Sequence, residues 1–482
     1  MAMATQQKQT ADAFTESADH REMARWLRKI EDVLAGEECI KAAGEKYLPR
    51  WKKENAESYR RRLAGTPWWP GFADAVENIT GKPFASPLAV EGDDGASNAI
   101  GQKLSDVTDD VDGAGNGIHV FARDLFADGI ANGMAGILVD FPADGAEEVK
   151  TLADERKRAA RPYWAHIKAG NILACYFESV GGRQFIRHLR FRECYTEQDG
   201  FGEKEIERIR VMEPGKFEVW ERSAGGAPVM VESGKVTLPI VPFVPFYTGK
   251  RFGNYGVKPP LLELANKNIS IFQKLSRKEQ TFTLAGFPML KIKGASESDV
   301  GKTRDDKGNA EPEIEVGPGI TILLPRDTDG TTGDADFISP EADVLTEIRN
   351  DAEADIREFL RLAKQPMMPG SGTTTATANA LEASKANSAI STWALALKDA
   401  LDQALAITCA WMQLKPTATV SVPTDFTSDM RPDSDVQVLL TARAQREISL
   451  ETFWGEWKRR GMLSADFDPA QELHRLETDS AA

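Results

Sequence analysis

Apolar positions change their period several times along the chain, and each change predicts a different kind of element. Residues 18–64 are rich in charge, and Trp26, Ile30, Val33 and Leu34 recur at helical spacing, which predicts one buried stripe. Tyr47, Leu48, Pro49 and Arg50 interrupt that run. Residues 97–134 predict two further helices, and the apolar stretch Gly136 to Val139 predicts a strand closed by Asp140, Phe141 and Pro142. From Arg161 to Phe246 the apolar residues sit in short runs, such as Tyr163-Trp164, Phe185-Ile186 and Val219-Trp220. Gly181-Gly182 and Gly225-Gly226 punctuate them, so this region reads as β-rich with hairpins. Residues 238–246 carry three prolines, which restricts them to an edge strand or an extended crossing segment.

The second half is dominated by long helical periods. Pro259-Pro260 opens a helix to about Ala285, with Leu261, Ala265, Phe272, Leu275 and Phe282 on one face. Lys267, Lys274, Arg277 and Lys278 fall largely on another. Residues 286–340 predict a small mixed insert with short strands at 288–293 and 320–324. Ser339-Pro340 then signals a new helix start. That helix runs to about Ala363 on Leu345, Ile348, Ala352, Ile356 and Phe359. Pro366 and Pro369 end it, and residues 364–377 form a loop of small polar residues. Asn379 and Glu382 mark the start of a third helix reaching about Leu414, roughly 50 Å long at ~1.5 Å per residue. A strand at 418–422 and a helical end over 432–478, capped by Ser449 and stopped by Gly461, complete the chain.

Composition narrows the chemistry. The 482 residues are enough for about three domains, and 41% hydrophobic content supplies a core. Net charge of −15 disfavours a protein that coats itself with DNA or anionic lipid. Cys39, Cys175, Cys194 and Cys409 have no close spacing and read as buried thiols rather than a zinc site. With neither a signal-peptide pattern nor a long apolar run, a soluble protein of a reducing cytoplasm is expected.

Catalytic signatures fail on spacing. Gly301-Lys302-Thr303 would need Gly at 296 to complete a phosphate loop, and that residue is Ser296. Gly113, Gly115 and Gly117 lack the third glycine of a dinucleotide turn, and acidic Asp109, Asp110 and Asp112 precede them. A calcium loop there fails at Thr108 and His119. The five histidines form no paired motif, so neither catalytic residues nor a metal or cofactor are implied. What stands out is a local inversion of charge. Between Lys258 and Lys293 seven basic residues face two acidic ones, in a chain that is acidic as a whole. A solvated helix face remains the plain alternative.

Several stretches, taken in order, resemble the portal proteins of tailed bacteriophages and related prophages. They are residues 136–142, 161–164, 240–243, 259–265, Asn268 to Ser270, 448–454 and 458–461. The resemblance covers nearly the whole chain and rests on the ordered set rather than on one motif. It implies an α+β portal fold and a ring, usually of twelve subunits, at one capsid vertex of the virion. Duplex DNA would be packaged and ejected through that ring, assembled in the host cytoplasm. By position it implies a wing at 1–257 with a strand at 417–431, and stem helices at 258–285 and 341–363. A clip would occupy 286–340, a tunnel loop 364–377, a spine helix 378–416 and a short helical crown 432–482.

Further expectations follow from the resemblance. Lys267, Lys274, Lys278, Lys364, Thr373, Thr374 and Thr375 would face the DNA channel. The three stem lysines have a second option, the acidic 341–363 helix of an adjacent subunit. Asp305, Asp306, Glu311, Glu313 and Glu315 would dock the terminase large subunit and later a head-completion or adaptor protein. Capsid and scaffold proteins are further expected partners, and no membrane is. Two alternatives stand beside the ring: a self-assembling phage scaffold without a channel, and a packaging ATPase or nuclease.

Overall fold

A computed structural model describes residues 12–91, 107–141, 161–223, 225–286, 289–293, 301–304, 310–313, 334–338, 342–363, 376–414, 418–424 and 434–459, with a few isolated positions beyond. The fold is α+β, and the chain divides into two units. One holds Met1–Leu34, Gly71–Ala265 and Leu360–Ala482. The other holds Ala35–Pro70 and Asn266–Phe359.

In the first unit, α1 (Ala18–Ala35) buries Met23, Leu27, Ile30 and Val33. The stripe is thus one position away from the expected set at two points, since Trp26 and Leu34 are only half-buried. β2 (Met134–Asp140) is the expected apolar strand, and it is buried along nearly its whole length. It lies between β3 (Tyr163–Lys168) and β9 (Phe243–Tyr247), both antiparallel to it. β9 is an edge strand, and its Pro245 stands opposite Gly136, as the proline content requires. Gly136 cannot be larger, because a Cβ there would lie 2.2 Å from the Phe243 ring.

A second, five-stranded antiparallel sheet follows as a meander, β4 (Ile172–Val180), β5 (Arg183–Asp199), β6 (Gly202–Glu213), β7 (Lys216–Arg222) and β8 (Pro228–Lys235). Gly181 and Gly182, at φ 58° and 81°, form the two-residue turn between β4 and β5. Arg210 of β6 joins the two sheets by ion pairs to Asp140 of β2 and, at 3.1 Å, to Glu193 of β5. Tyr163 donates to the same Asp140 at 3.2 Å.

The long helix Ala376–Trp411 packs beside the three-stranded sheet. Three indoles stitch the two together. Trp393 donates to the Thr248 carbonyl at 3.1 Å, Trp411 to the Val139 carbonyl at 3.2 Å, and Trp164 to Thr408 Oγ1 at 2.8 Å. A short strand, β16 (Thr419–Ser421), pairs antiparallel with β1 (Ala89–Glu91), and β10 (Lys250–Phe252) pairs likewise with β11 (Gly256–Lys258). Ser449 caps the last described helix, Leu450–Arg459, accepting from the Thr452 amide at 3.0 Å.

The second unit is built on two helices, Leu262–Gly286 from Asn266 onward and Ala342–Leu362 up to Phe359. Between them β12 (Met289–Lys293) pairs antiparallel with β15 (Asp334–Ile338), closing the base of the insert. β13 (Gly301–Arg304) and β14 (Ala310–Glu313) form a hairpin inside it. The strand expected at 320–324 and the cap at Ser339-Pro340 lie outside the described residues.

Segment 35–70 clasps the helices. Asn55 caps the helix Ala56–Gly65 through the Ser58 amide at 2.7 Å. Asn268 donates to the Trp69 carbonyl and Gln273 to the Tyr47 carbonyl, at 3.0 and 2.8 Å. Trp68 meets Phe272 and Trp69 meets Phe359 edge-on. Phe282, expected on the buried face, is exposed.

The cysteines need a correction. Cys175 and Cys409 are buried as expected, but Cys39 and Cys194 are exposed. Cys39 lies on Glu37–Ala43, a one-sided helix that buries only Ile40, and Cys194 on a stretch of β5 with a single strand neighbour.

Candidate functional site

The residues tested for catalysis take structural roles. Gly301, Lys302 and Thr303 lie in strand β13, paired with Glu313, Pro312 and Glu311. A phosphate loop instead needs a turn that opens a helix. In the Gly113–Gly117 turn, carboxylates already occupy the amides. Asp110 accepts from Gly115 at 2.8 Å, and Asp112 accepts from Ala114 at 2.9 Å and from Asn116. Burial works against charge on Asp112, yet the Asn116 and Ala114 bonds hold its carboxyl below the usual range. His20 donates to the Ile172 carbonyl at 2.8 Å, His188 to Glu213 at 2.9 Å, and His119 accepts from the Leu88 amide. His166 lies 3.1 Å from Asp128. Among the described residues no group of three or more His, Cys, Asp or Glu is arranged to hold a metal.

The charge inversion resolves into a brace between the two helices of the second unit. Lys267 Nζ reaches Asp355 at 2.9 Å and Glu358 at 2.6 Å. Lys274 Nζ reaches Asp351 at 2.9 Å and Asp355 at 2.7 Å. Seven residues separate the lysines, two helical turns, and three to four separate the acids, one turn each. An antiparallel pair therefore brings both sets into register.

Asp355 is shared by the two ammonium groups and is nearly buried. Burial opposes its charge, but Lys274 and Lys267 together keep its carboxyl below the usual range. The Glu358 hydrogen bond is the main influence raising Lys267. For Lys274 burial acts downward, yet the Asp355 and Asp351 carboxylates hold it above its ordinary value. The acidic helix is therefore that of the same chain, a partner that sequence periodicity did not offer.

Lys278 has a different setting. Half-buried, its Nζ lies 5.8 Å from the centre of the Phe282 ring, and it has no ion pair among the described residues. Arg277 is exposed, lining with Lys274 a groove of about 410 Å³ that also takes in Trp51, Gln280, Ile348 and Asp351. Glu311 and Glu313 lie two apart on strand β14. Lys364, Thr373, Thr374, Thr375, Asp305, Asp306 and Glu315 lie outside the described residues.

A buried pair that sequence reasoning missed anchors the brace. Arg62 grips Glu54 in a two-pronged contact at 2.7 and 2.7 Å, with side chains 2% and 5% exposed. Arg62 also donates to the Pro49 carbonyl at 3.0 Å and to Ser276 Oγ of the helix Leu262–Gly286 at 3.2 Å. Trp51 covers its guanidinium at 4.4 Å. The one hint in sequence was Asn55, whose cap fixes the helix start and so the face on which Arg62 falls.

A family model described as "Domain of unknown function (DUF4055)" matches residues 260–412, which contain both braced helices and the long helix after them. No curated protein matches the sequence. Among solved structures, the chain is similar to one from the neck of a native GTA particle computed with C12 symmetry. Identity is 15%, coverage 88% of this chain and 96% of that one, and TM-score 0.39. A chain from the neck of an empty GTA particle computed with C6 symmetry gives 14% identity, 88% and 94% coverage, and TM-score 0.41. One from the virion of a native gene transfer agent particle gives 14% identity, 90% and 97% coverage, and TM-score 0.40.

Proposed function

We propose that this chain is the subunit of a portal-type ring that conducts duplex DNA at a capsid vertex and catalyses no reaction itself. The observation that carries this reading is the braced helix pair. Two antiparallel helices, locked by Lys267 and Lys274 onto Asp351, Asp355 and Glu358, carry a small β insert between their ends. Stalks of that kind, repeated around an axis, make a stiff wall.

Internal pairing also neutralises two of the segment's lysines. A translocating ring needs this, because firm phosphate contacts in series would stall the duplex. Lys278, and Lys364 with Thr373, Thr374 and Thr375, are then the groups left for light contact with DNA, each multiplied by symmetry. A channel role for Lys267 or Lys274 would require breaking the brace.

The insert 286–340 would serve as the clip, with Asp305, Asp306, Glu311, Glu313 and Glu315 meeting a basic surface on terminase and later on an adaptor. Residues 1–257 would form the wing, 364–377 the tunnel loop, 378–416 the spine and 432–482 the crown. Mass photometry of the purified full-length protein tests the reading. One closed oligomer of fixed stoichiometry is expected. A persistent monomer, or open polymers of continuous length distribution, would overturn it.

A further inference from the structure

In the first unit, β5 and β6 run on past the sheet that holds them. β4 covers β5 only as far as Phe191, and β7 covers β6 only from Arg208. Residues 192–207 are therefore a two-stranded arm closed by Gly200-Phe201, with Phe201 fully exposed at its tip. Isolated two-stranded ribbons are marginal in water, so something must hold this one.

One face supplies that support. Tyr195 stands opposite Ile206, and the Arg208 guanidinium lies 4.3 Å over the Tyr195 ring. The other face does the opposite. It carries Glu203, Glu205 and Glu207 at every second position, opposite Gln198, Thr196 and Cys194. Only Glu207 is answered, by Arg192 at 2.5 Å at the root. Glu203 and Glu205 are exposed and have no cation among the described residues. Over 194–207 five acids face one lysine. Like charges in a row destabilise a ribbon until a cation covers them.

The same unit presents a counterpart. On α1, opposite the buried stripe, Arg21, Arg25 and Arg28 are exposed at i, i+4 and i+7. Arg25 is paired with Glu22 of its own helix, but Arg21 and Arg28 have no carboxylate partner among the described residues. The arginines rise by about 6 and 4.5 Å along the helix, and the glutamates by about 7 Å each along the strand. The reach of an arginine side chain absorbs the difference. No ion pair links the arm to this ridge within the chain among the described residues.

We infer that the acidic face of the 192–207 arm docks on the Arg21–Arg25–Arg28 ridge of a second copy of this chain. Arm and ridge are different surfaces, so the contact is head-to-tail, the kind that closes into a ring. The inference rests on the proposed ring and adds a specific subunit contact to it.

The test is charge reversal in the full-length protein, read by mass photometry. Glu203→Lys with Glu205→Lys should lower the assembled fraction by about tenfold or more, because like charges then face each other. Arg21→Glu with Arg28→Glu should do the same. Combining all four changes should restore assembly, with circular dichroism unchanged throughout. Normal assembly of either reversed protein overturns the contact while leaving the ring intact. So does a fully folded combined variant that stays dissociated. A wild-type chain that never assembles overturns contact and ring together.

Discussion

Asp355 and Arg62 each hold charged partners of the second unit from buried positions. Asp355 neutralises two lysines from a nearly buried position, so Asp355→Ala should cost about 1–3 kcal/mol by leaving both without their shared partner. Glu358→Ala removes a half-exposed partner and should cost under about 1 kcal/mol. Urea denaturation of the full chain measures both, and equal losses would contradict the shared role of Asp355.

Arg62→Lys is not a mild change, since lysine cannot reproduce the two-pronged grip on Glu54. A loss of about 1–3 kcal/mol is expected, because the lysine ammonium leaves an almost fully buried carboxylate short of a hydrogen bond. The hydrogen bond from Arg62 holds the Glu54 carboxyl below its ordinary range. The stability this gives is therefore present above the unfolded value near ~4.3 and is lost as pH falls through the lower, folded one. The stability gap between wild type and Glu54→Gln should narrow steadily below pH of about 4. A gap independent of pH would mean that the charge does not matter.

Elements tell how far sequence goes. The apolar run of β2, the proline-marked edge strand β9, and the helices at 262–286, 342–362 and 376–411 all stand where periodicity puts them. Burial fixes each of them, along nearly the whole of β2 and on one stripe of a helix, and the spacing of apolar residues records that directly. The brace was half legible. The lysine face was visible, but its partners lie 77 to 91 residues away, and only the return of the second helix reveals them. Apart from the Asn55 cap, nothing marked Arg62 and Glu54, because two charged residues in a charged stretch look like solvated surface until the fold closes over them.

The Arg210 junction between the sheets has the same character. Arg210→Met should strand Asp140 and Glu193 beside each other and cost about 2 kcal/mol in the same denaturation experiment. Burial pushes the Tyr163 hydroxyl up to about 12, with Asp140 adding to it, so this tyrosine should stay protonated in alkaline titrations that ionise exposed ones. In the long helix, Thr408→Val leaves the buried Trp164 indole without an acceptor and should cost about 1–2 kcal/mol.

At the scale of the whole molecule, assembly and the space it encloses decide the function. As a subunit of the proposed ring, the chain should show no ATP turnover of its own, since Lys302 lies in a strand of a hairpin rather than at the mouth of a helix. Hydrolysis by the pure protein that is abolished by Lys302→Ala would revive an enzymatic reading. The most direct measurement is electron microscopy of the purified full-length protein viewed along its symmetry axis. A closed ring with a central opening wide enough to admit a DNA duplex is the expected result. A closed assembly with a filled centre would contradict the channel and leave only a structural scaffold.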